Sequence, residues 1–130
     1  MERVIGIGGV FFKARDPEKL GAWYREHLGI AVENNMMDFV RDDKLPPELT
    51  RRTVWALFPA NTDYFGPPPS PFMINYRVAS MERMLAQLRS HGVTIEKSED
   101  FDYGRFAWIT DPEGTKVELW EPIEEAKPKN

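Results

Sequence analysis

The chain has 130 residues, of which 42% are hydrophobic and 29% charged, a composition typical of one globular domain and not of a disordered or fibrous protein. It contains no cysteine, which excludes disulfide scaffolds, thiolate zinc sites, iron–sulfur clusters and thiol nucleophiles. The net charge of −4 is spread along the chain and argues against nucleic-acid or membrane partners. The apolar run from Val4 to Phe12 is too short to span a bilayer and does not fit a signal peptide, so we expect a cytoplasmic protein.

The first half of the chain predicts a strand, a helix and two further strands. Ile7 to Ala14 leads into the pair Asp16-Pro17, which is typical of a helix start, and apolar residues then recur at helical spacing until Gly29. Arg52 to Phe58 is a β-branched and aromatic run, and Met37 to Arg41 is a weaker strand candidate. The proline-rich segment from Pro59 to Pro71 cannot form a central strand and is interpreted as a linker.

The second half repeats this order. Phe72 to Ala79 predicts a strand, and a helix begins at Ser80 and closes at Gly92. Two more strands, Arg105 to Thr110 and Lys116 to Trp120, flank a tight turn over residues 111–114. Each helix is also followed by a short apolar piece, Ile30 to Val32 and Val93 to Ile95. Because both halves then read as a strand, a helix and about three strands, we predict an internal repeat.

Side-chain alternation separates the two faces of the predicted strands. The uniformly apolar set is expected to face the helices and comprises Val10, Phe12, Ala14, Ile74, Tyr76, Val78, Val117 and Leu119. The opposite face then carries Gly9, Phe11, Lys13, Met73, Asn75, Arg77, Lys116, Glu118 and Trp120. Polar residues on this second face imply either solvent or a polar cavity.

Three stretches carry a family resemblance: Gly9 to Asp16, Trp23 to Gly29, and above all Phe106 to Pro122 with its Asp-Pro-Glu-Gly turn and following Glu-Leu. They resemble the vicinal oxygen chelate superfamily, which includes glyoxalase I, bleomycin-resistance proteins and extradiol dioxygenases. The resemblance implies an α+β fold of two βαβββ modules that form an open, cup-shaped mixed sheet with helices on the outer face, often as a homodimer. A ferredoxin-like sandwich is the alternative fold.

On this interpretation, residues 1–130 form a single glyoxalase/bleomycin-resistance/dioxygenase-like domain. Module one covers about 1–60, the linker about 59–71 and module two about 72–122, and residues 123–130 form a frayed tail.

The resemblance also bears on metal binding. Metal-dependent members of the superfamily carry a His or Gln at the start of the first leading strand, a His at the matching place in the second, and a Glu in the last strand. Gly9, Met73 and Glu118 stand at those places here, so only the glutamate is retained. We therefore expect no cofactor, although binding of a divalent metal through other residues stays open. His27 and His91 lie at predicted helix C-termini, where a protonated imidazole interacts favourably with the negative end of the helix dipole. We expect this structural role for both histidines, and not metal binding.

Two functional hypotheses remain, and the sequence leaves open whether the protein is an enzyme. The first is a glyoxalase- or bleomycin-resistance-like protein that binds a small organic molecule in the sheet cup without the usual metal site. Its candidate ligand-binding residues are Phe11, Lys13, Trp55, Met73, Asn75, Arg77 and Trp120. The second is a glyoxalase-like lyase, isomerase or dioxygenase in which Glu118 acts as a metal ligand or as a general base.

Overall fold

A computed structural model describes residues 1–39, 53–66 and 70–123. In chain order the elements are β1 (Val4–Ala14), α1 (Pro17–Leu28), β2 (Met36–Phe39), β3 (Thr53–Pro59), β4 (Phe72–Val78), α2 (Met81–Ser90), β5 (Lys97–Phe101), β6 (Gly104–Thr110) and β7 (Lys116–Pro122). Parallel and antiparallel strand pairs both occur. The predicted α+β class with a mixed sheet is confirmed.

The chain divides into two compact units. The N-terminal unit spans Ile7–Ile74, and the C-terminal unit combines Met1–Gly6 with Asn75–Asn130. The second half of the chain shows the full βαβββ order, whereas the described residues of the first half contain a strand, a helix and two strands. Parts of four predictions lie outside the described residues: Val40 and Arg41 of the weak strand, Arg52 of the stronger one, 67–69 of the proline-rich linker, and 124–130 of the tail.

In the N-terminal unit the strand order is β2-β3-β1. β1 runs parallel to β3, and β2 pairs with β3 in the antiparallel sense. The helix α1 has the predicted bounds, because the Asp16 side chain caps its start by accepting a hydrogen bond from the Lys19 amide and Gly29 closes it at φ 67°. Phe12 packs edge-on against Tyr24 of this helix, as its predicted orientation requires.

The other side of β1 and β3 carries a separate apolar cluster. Phe11, Ala56, Phe65 and Met73 are buried together there. Phe65 lies in the proline-rich segment, so this segment supplies a core residue as well as a connection. Val10 shares the face of β1 that carries Phe12, but it is exposed, so the expectation that it lies in a helix-covered core is wrong.

In the C-terminal unit the strand order is β4-β7-β6-β5. The β6–β7 hairpin turns at residues 111–114, where the Asp111 carboxylate accepts hydrogen bonds from the amides of Glu113 and Thr115 and Gly114 has φ 87°. Ser80 caps α2 through the Arg83 amide, so the helix itself begins one residue later than predicted. Strand β7 also continues to Pro122, beyond the predicted end at Trp120.

The core of this unit lies between α2 and the sheet. Met81, Met84 and Leu85 of the helix are buried with strand residues Val78, Ala107 and Leu119, and Tyr76 and Val117 pack against them. The predicted helix-facing orientation is therefore confirmed at Tyr76, Val78, Val117 and Leu119. Strand β5 was not predicted, because Lys-Ser-Glu-Asp-Phe has no apolar alternation; only its backbone pairing with β6 makes it a strand. Within the described ranges, neither helix has the length and apolar character needed to cross a membrane.

Candidate functional site

A buried carboxylate lies at the centre of the C-terminal unit. The Glu118 side chain is 2% exposed. Its Oε2 accepts a hydrogen bond of 2.6 Å from Nδ2 of Asn75, and its Oε1 accepts one of 2.9 Å from the indole Nε1 of Trp108. Both carboxylate oxygens thus accept N–H groups of neighbouring side chains, which is the arrangement that makes a buried negative charge tolerable. We call Asn75, Trp108 and Glu118 the carboxylate cluster.

The strand order explains why these three side chains meet. β7 lies between β4 and β6, so a residue of β7 has a neighbouring strand on either side. Trp108 of β6 is directly opposite Glu118 in the hairpin register. Asn75 belongs to β4, on the other side of β7. The carboxylate is therefore held by one donor from each adjacent strand.

Aromatic rings continue from this cluster across the same face of β5, β6 and β7. Phe106 stacks on Trp108 at 6.1 Å between ring centroids and on Trp120 at 5.9 Å, with interplanar angles of 15° and 10°. Phe101 and Tyr103 stack on each other and meet Phe106 edge-on. We call Phe101, Tyr103, Phe106, Trp108 and Trp120 the aromatic row. Its tryptophans are 5% and 7% exposed, whereas Tyr103 is 57% exposed, so the row leads from solvent to the buried carboxylate.

Two buried polar atoms near this face have no hydrogen-bond partner among the residues that the structure describes. They are Oδ1 of Asn75, an acceptor, and Nε1 of Trp120, a donor. Gly104 lies beneath the Trp120 indole, since a Cβ there would be 2.3 Å from Nε1. Leaving such a group unpaired in the interior costs about 1–3 kcal/mol.

Arg77 adds a buried cation to the C-terminal unit. Its guanidinium lies against Gly6, where a Cβ would come within 2.3 Å of Nη2. The absence of a side chain at Gly6 therefore makes room for this arginine. Arg77 is on β4, two residues beyond Asn75, and so projects from the same face of that strand.

The remaining predicted ligand-binding residues belong to the N-terminal unit. Phe11 and Met73 are brought together in its buried cluster. The Lys13 ammonium lies 5.7 Å from the ring centroid of Phe65. Trp55 is not brought to this group, because it packs against Phe12 and Tyr24 on the helix-facing side of β3.

The three positions that hold metal in metal-dependent members do not suit a divalent ion here. A Cβ at Gly9 would lie 2.7 Å from the Phe11 ring and 3.1 Å from the Val54 carbonyl oxygen, so the space for a ligand side chain is filled. Met73 is fully buried in an apolar cluster and offers only a soft thioether. Glu118 already accepts two N–H groups. In the described part of the chain, no group of three His, Cys, Asp or Glu residues could hold a metal.

Sequence reasoning did not select Trp108 or Phe106. The predicted turn nonetheless contained the information needed to locate both residues opposite β7. Once residues 111–114 form the hairpin, pairing outward from Thr110 and Lys116 puts Trp108 opposite Glu118 and Phe106 opposite Trp120. Register counted from a turn would therefore have identified both residues.

Comparison with known proteins agrees with this architecture. Residues 9–120 match the family model of the glyoxalase-like domain, and the chain belongs to that family. No match was found among curated proteins.

Solved structures share the fold. Methylmalonyl-CoA epimerase from Streptomyces coelicolor, in complex with 2-nitronate-propionyl-CoA, is 14% identical with a TM-score of 0.67, covering 94% of this chain and 100% of that one. The enzyme of the same name from Mycobacterium tuberculosis is 20% identical with a TM-score of 0.58, covering 93% and 90%. A glyoxalase/bleomycin resistance protein/dioxygenase superfamily member from Vibrio splendidus 12B01 is 10% identical with a TM-score of 0.54, covering 93% and 99%. Together with the family match, which carries the assignment, these structures confirm the resemblance to the superfamily.

Proposed function

We propose that this protein binds a small planar organic molecule on the aromatic row of its C-terminal unit. The observation that carries the proposal is the continuity of the row with the carboxylate cluster. An exposed aromatic end at Tyr103 and a buried polar end at Glu118 lie on one face of three adjacent strands. Small-molecule sites in proteins combine such apolar walls with a few placed polar groups.

The aromatic row suits a flat ligand because its central rings are already stacked. Phe106 is held between two tryptophans, so little side-chain freedom would be lost when a further ring packs against the row. Offset stacking of aromatic rings contributes about 0.5–1.5 kcal/mol beyond the area that it buries.

Unpaired polar atoms give the ligand its orientation. Oδ1 of Asn75, beside Glu118, can accept a hydrogen bond, and Nε1 of Trp120, over Gly104, can donate one; both atoms lack partners among the described residues. A ligand with a donor toward Glu118 and an acceptor toward Gly104 would satisfy both. Because the carboxylate of Glu118 is held by N–H groups, we propose that this binding proceeds without the divalent ion of metal-dependent relatives.

The test is a thermal-shift and calorimetric titration with planar heteroaromatic compounds that carry both a donor and an acceptor. We expect at least one to stabilise the wild-type protein, and we expect Phe106→Ala to weaken binding by about tenfold or more. Phe72→Ala is the matched control, since Phe72 is an exposed aromatic residue of the N-terminal unit and should leave affinity unchanged. Equal affinity in both variants would locate the ligand elsewhere and overturn the proposal.

Metal content is measured on the same preparation, after incubation with manganese, iron(II), nickel and zinc. We expect no stoichiometric ion after dialysis. One ion per chain that is retained by the wild type and lost in Glu118→Gln would show that Glu118 is a metal ligand.

A catalytic role for Glu118 is the second candidate function. A carboxylate buried beside a binding surface can act as a general base toward a carbon-bound proton, which is chemistry required of a lyase or an isomerase. If Glu118 is that base, Glu118→Gln should abolish turnover of a candidate substrate while its binding persists. Unchanged turnover would exclude the role.

The homodimer and the cytoplasmic location stay predictions. Sedimentation analysis tests the first, and cell fractionation tests the second.

A further inference from the structure

A recess lies in the N-terminal unit, and none of its lining residues belongs to the carboxylate cluster or the aromatic row. It is an open groove of about 510 Å³ where β1 passes into α1. Its lining includes Arg15, Asp16, Lys19, Leu20, Trp23 and Tyr24. The volume is within the range of about 300–1,000 Å³ that small-molecule pockets occupy.

One wall of the groove is the indole ring of Trp23, which packs against neighbouring aromatic rings of the N-terminal unit. Trp23 is 49% exposed, which is unusual for so large an apolar side chain. Its ring meets Tyr24 edge-on at 5.2 Å between centroids and contacts His27 at 5.1 Å. Tyr24 in turn packs against Trp55 at 4.9 Å. The indole is thus fixed by its neighbours while much of its surface faces solvent, so a ligand ring would meet an ordered partner.

The charges of the groove are unbalanced toward the positive. Arg15 and Lys19 are exposed and have no ion-pair partner in residues 1–39, 53–66 or 70–123. The carboxylate of the lining belongs to Asp16, and one of its oxygens accepts a hydrogen bond of 3.1 Å from the Lys19 backbone amide. The lining therefore carries two cationic side chains and one carboxylate beside the Trp23 indole.

We propose that this groove binds a small planar aromatic anion. The ring of the anion stacks on Trp23, and its carboxylate, sulfonate or phosphate group pairs with Arg15 and Lys19. Arginine offers a planar fork of donors that matches such oxyanions, and lysine adds a mobile point charge. The site is independent of the proposed function, since it shares no residue with the aromatic row.

The test compares naphthalene-1-sulfonate with the uncharged naphthalene-1-methanol on the full chain. Calorimetry measures affinity, and backbone amide chemical shifts locate each ligand. We expect the sulfonate to shift amides within residues 14–24 and to bind at least about tenfold more tightly than the alcohol, because only the sulfonate can pair with the cations.

Variants separate the two parts of the site. Trp23→Ala and the double variant Arg15→Gln/Lys19→Gln should each lower sulfonate affinity by about tenfold or more. Phe72→Ala and Arg89→Gln are the controls, being an exposed aromatic residue outside the groove and an exposed cation of the C-terminal unit, and should leave affinity unchanged. Circular dichroism confirms that each variant is folded.

Three results would overturn the proposal. They are absence of sulfonate binding at millimolar concentration, amide shifts confined to residues 97–123, and equal affinity for the sulfonate and the alcohol. Loss of affinity in Tyr103→Ala alone would place the ligand on the aromatic row, which would favour the proposed function and refute the groove. Concentration-dependent self-association that Trp23→Ala abolishes would instead identify the groove as a contact with a second copy of the chain.

Discussion

The hydrogen bond between Trp108 and Glu118 can be weighed by comparing two tryptophans in nearly the same setting. Trp108 and Trp120 are both buried and both stack on Phe106. Trp108 donates its indole N–H to Glu118, whereas Nε1 of Trp120 has no partner among the described residues. The substitutions Trp108→Phe and Trp120→Phe therefore remove the same atoms, but only the first removes a donor from a buried carboxylate.

The expected difference in the free energy of unfolding between the two variants follows from the loss of that one donor. Replacing either indole by a phenyl ring loses similar apolar area, so the packing cost largely cancels when the two variants are compared. A hydrogen bond to a charged group is worth about 1.5–3 kcal/mol, and removal of the unpaired buried N–H of Trp120 relieves a penalty. We expect Trp108→Phe to be less stable than Trp120→Phe by at least about 1.5 kcal/mol, which is about 6 °C in Tm for a domain of this size.

Urea denaturation followed by far-ultraviolet circular dichroism measures both free energies of unfolding. Glu118→Gln in the wild-type and Trp108→Phe backgrounds completes a double-mutant cycle, whose coupling energy should account for most of the difference. If the free energies of unfolding of Trp108→Phe and Trp120→Phe lie within about 0.5 kcal/mol of each other, the hydrogen bond from Trp108 to Glu118 does not stabilise the protein.

Three further predictions concern the fold. Gly9→Ala should lower the free energy of unfolding by about 1–3 kcal/mol, because its Cβ would meet the Phe11 ring at 2.7 Å; recovery of stability in Gly9→Ala/Phe11→Ala, relative to Phe11→Ala alone, checks that this ring is the cause. Asp16→Ala and Ser80→Ala should each cost about 1 kcal/mol in urea denaturation, since each side chain caps a helix, and losses below about 0.2 kcal/mol would contradict the capping. Phe65→Ala should destabilise by about 3–5 kcal/mol although Phe65 lies in the proline-rich segment, because its side chain is buried in the N-terminal cluster; a calorimetric Tm close to that of the wild type would show that the segment only connects.

Local signals in the sequence were sufficient to locate both helices. Asp16-Pro17 and Gly29 mark the ends of α1, and Ser80 and Gly92 bracket α2, because capping and left-handed closure depend on residues within one turn. Period-two alternation likewise gave the helix-facing side of β4 and β7. Strand β5 escaped detection because its residues are mostly charged, and its pairing with β6 is a non-local interaction.

The candidate site also has features that the sequence predicted and features that only the tertiary structure shows. The sequence placed Asn75 and Glu118 on the correct face of their strands, since alternation along each strand is local. It could not show that the carboxylate accepts N–H groups from Asn75 and Trp108, because that requires the side-by-side order β4-β7-β6. Nor could it show that Trp55 packs against the helix side with Tyr24.

The amino-acid sequence by itself thus determined the two helices, the helix-facing sides of β4 and β7 and the family to which the chain belongs. Only the tertiary structure decided that the Phe11 ring fills the space above Gly9, that Glu118 is held by two N–H donors, and that Trp23 forms the wall of a cationic groove. The physical reason is the separation along the sequence between the residues that interact. Caps, turns and alternation act between residues a few positions apart, whereas these three arrangements depend on how separate elements pack against each other.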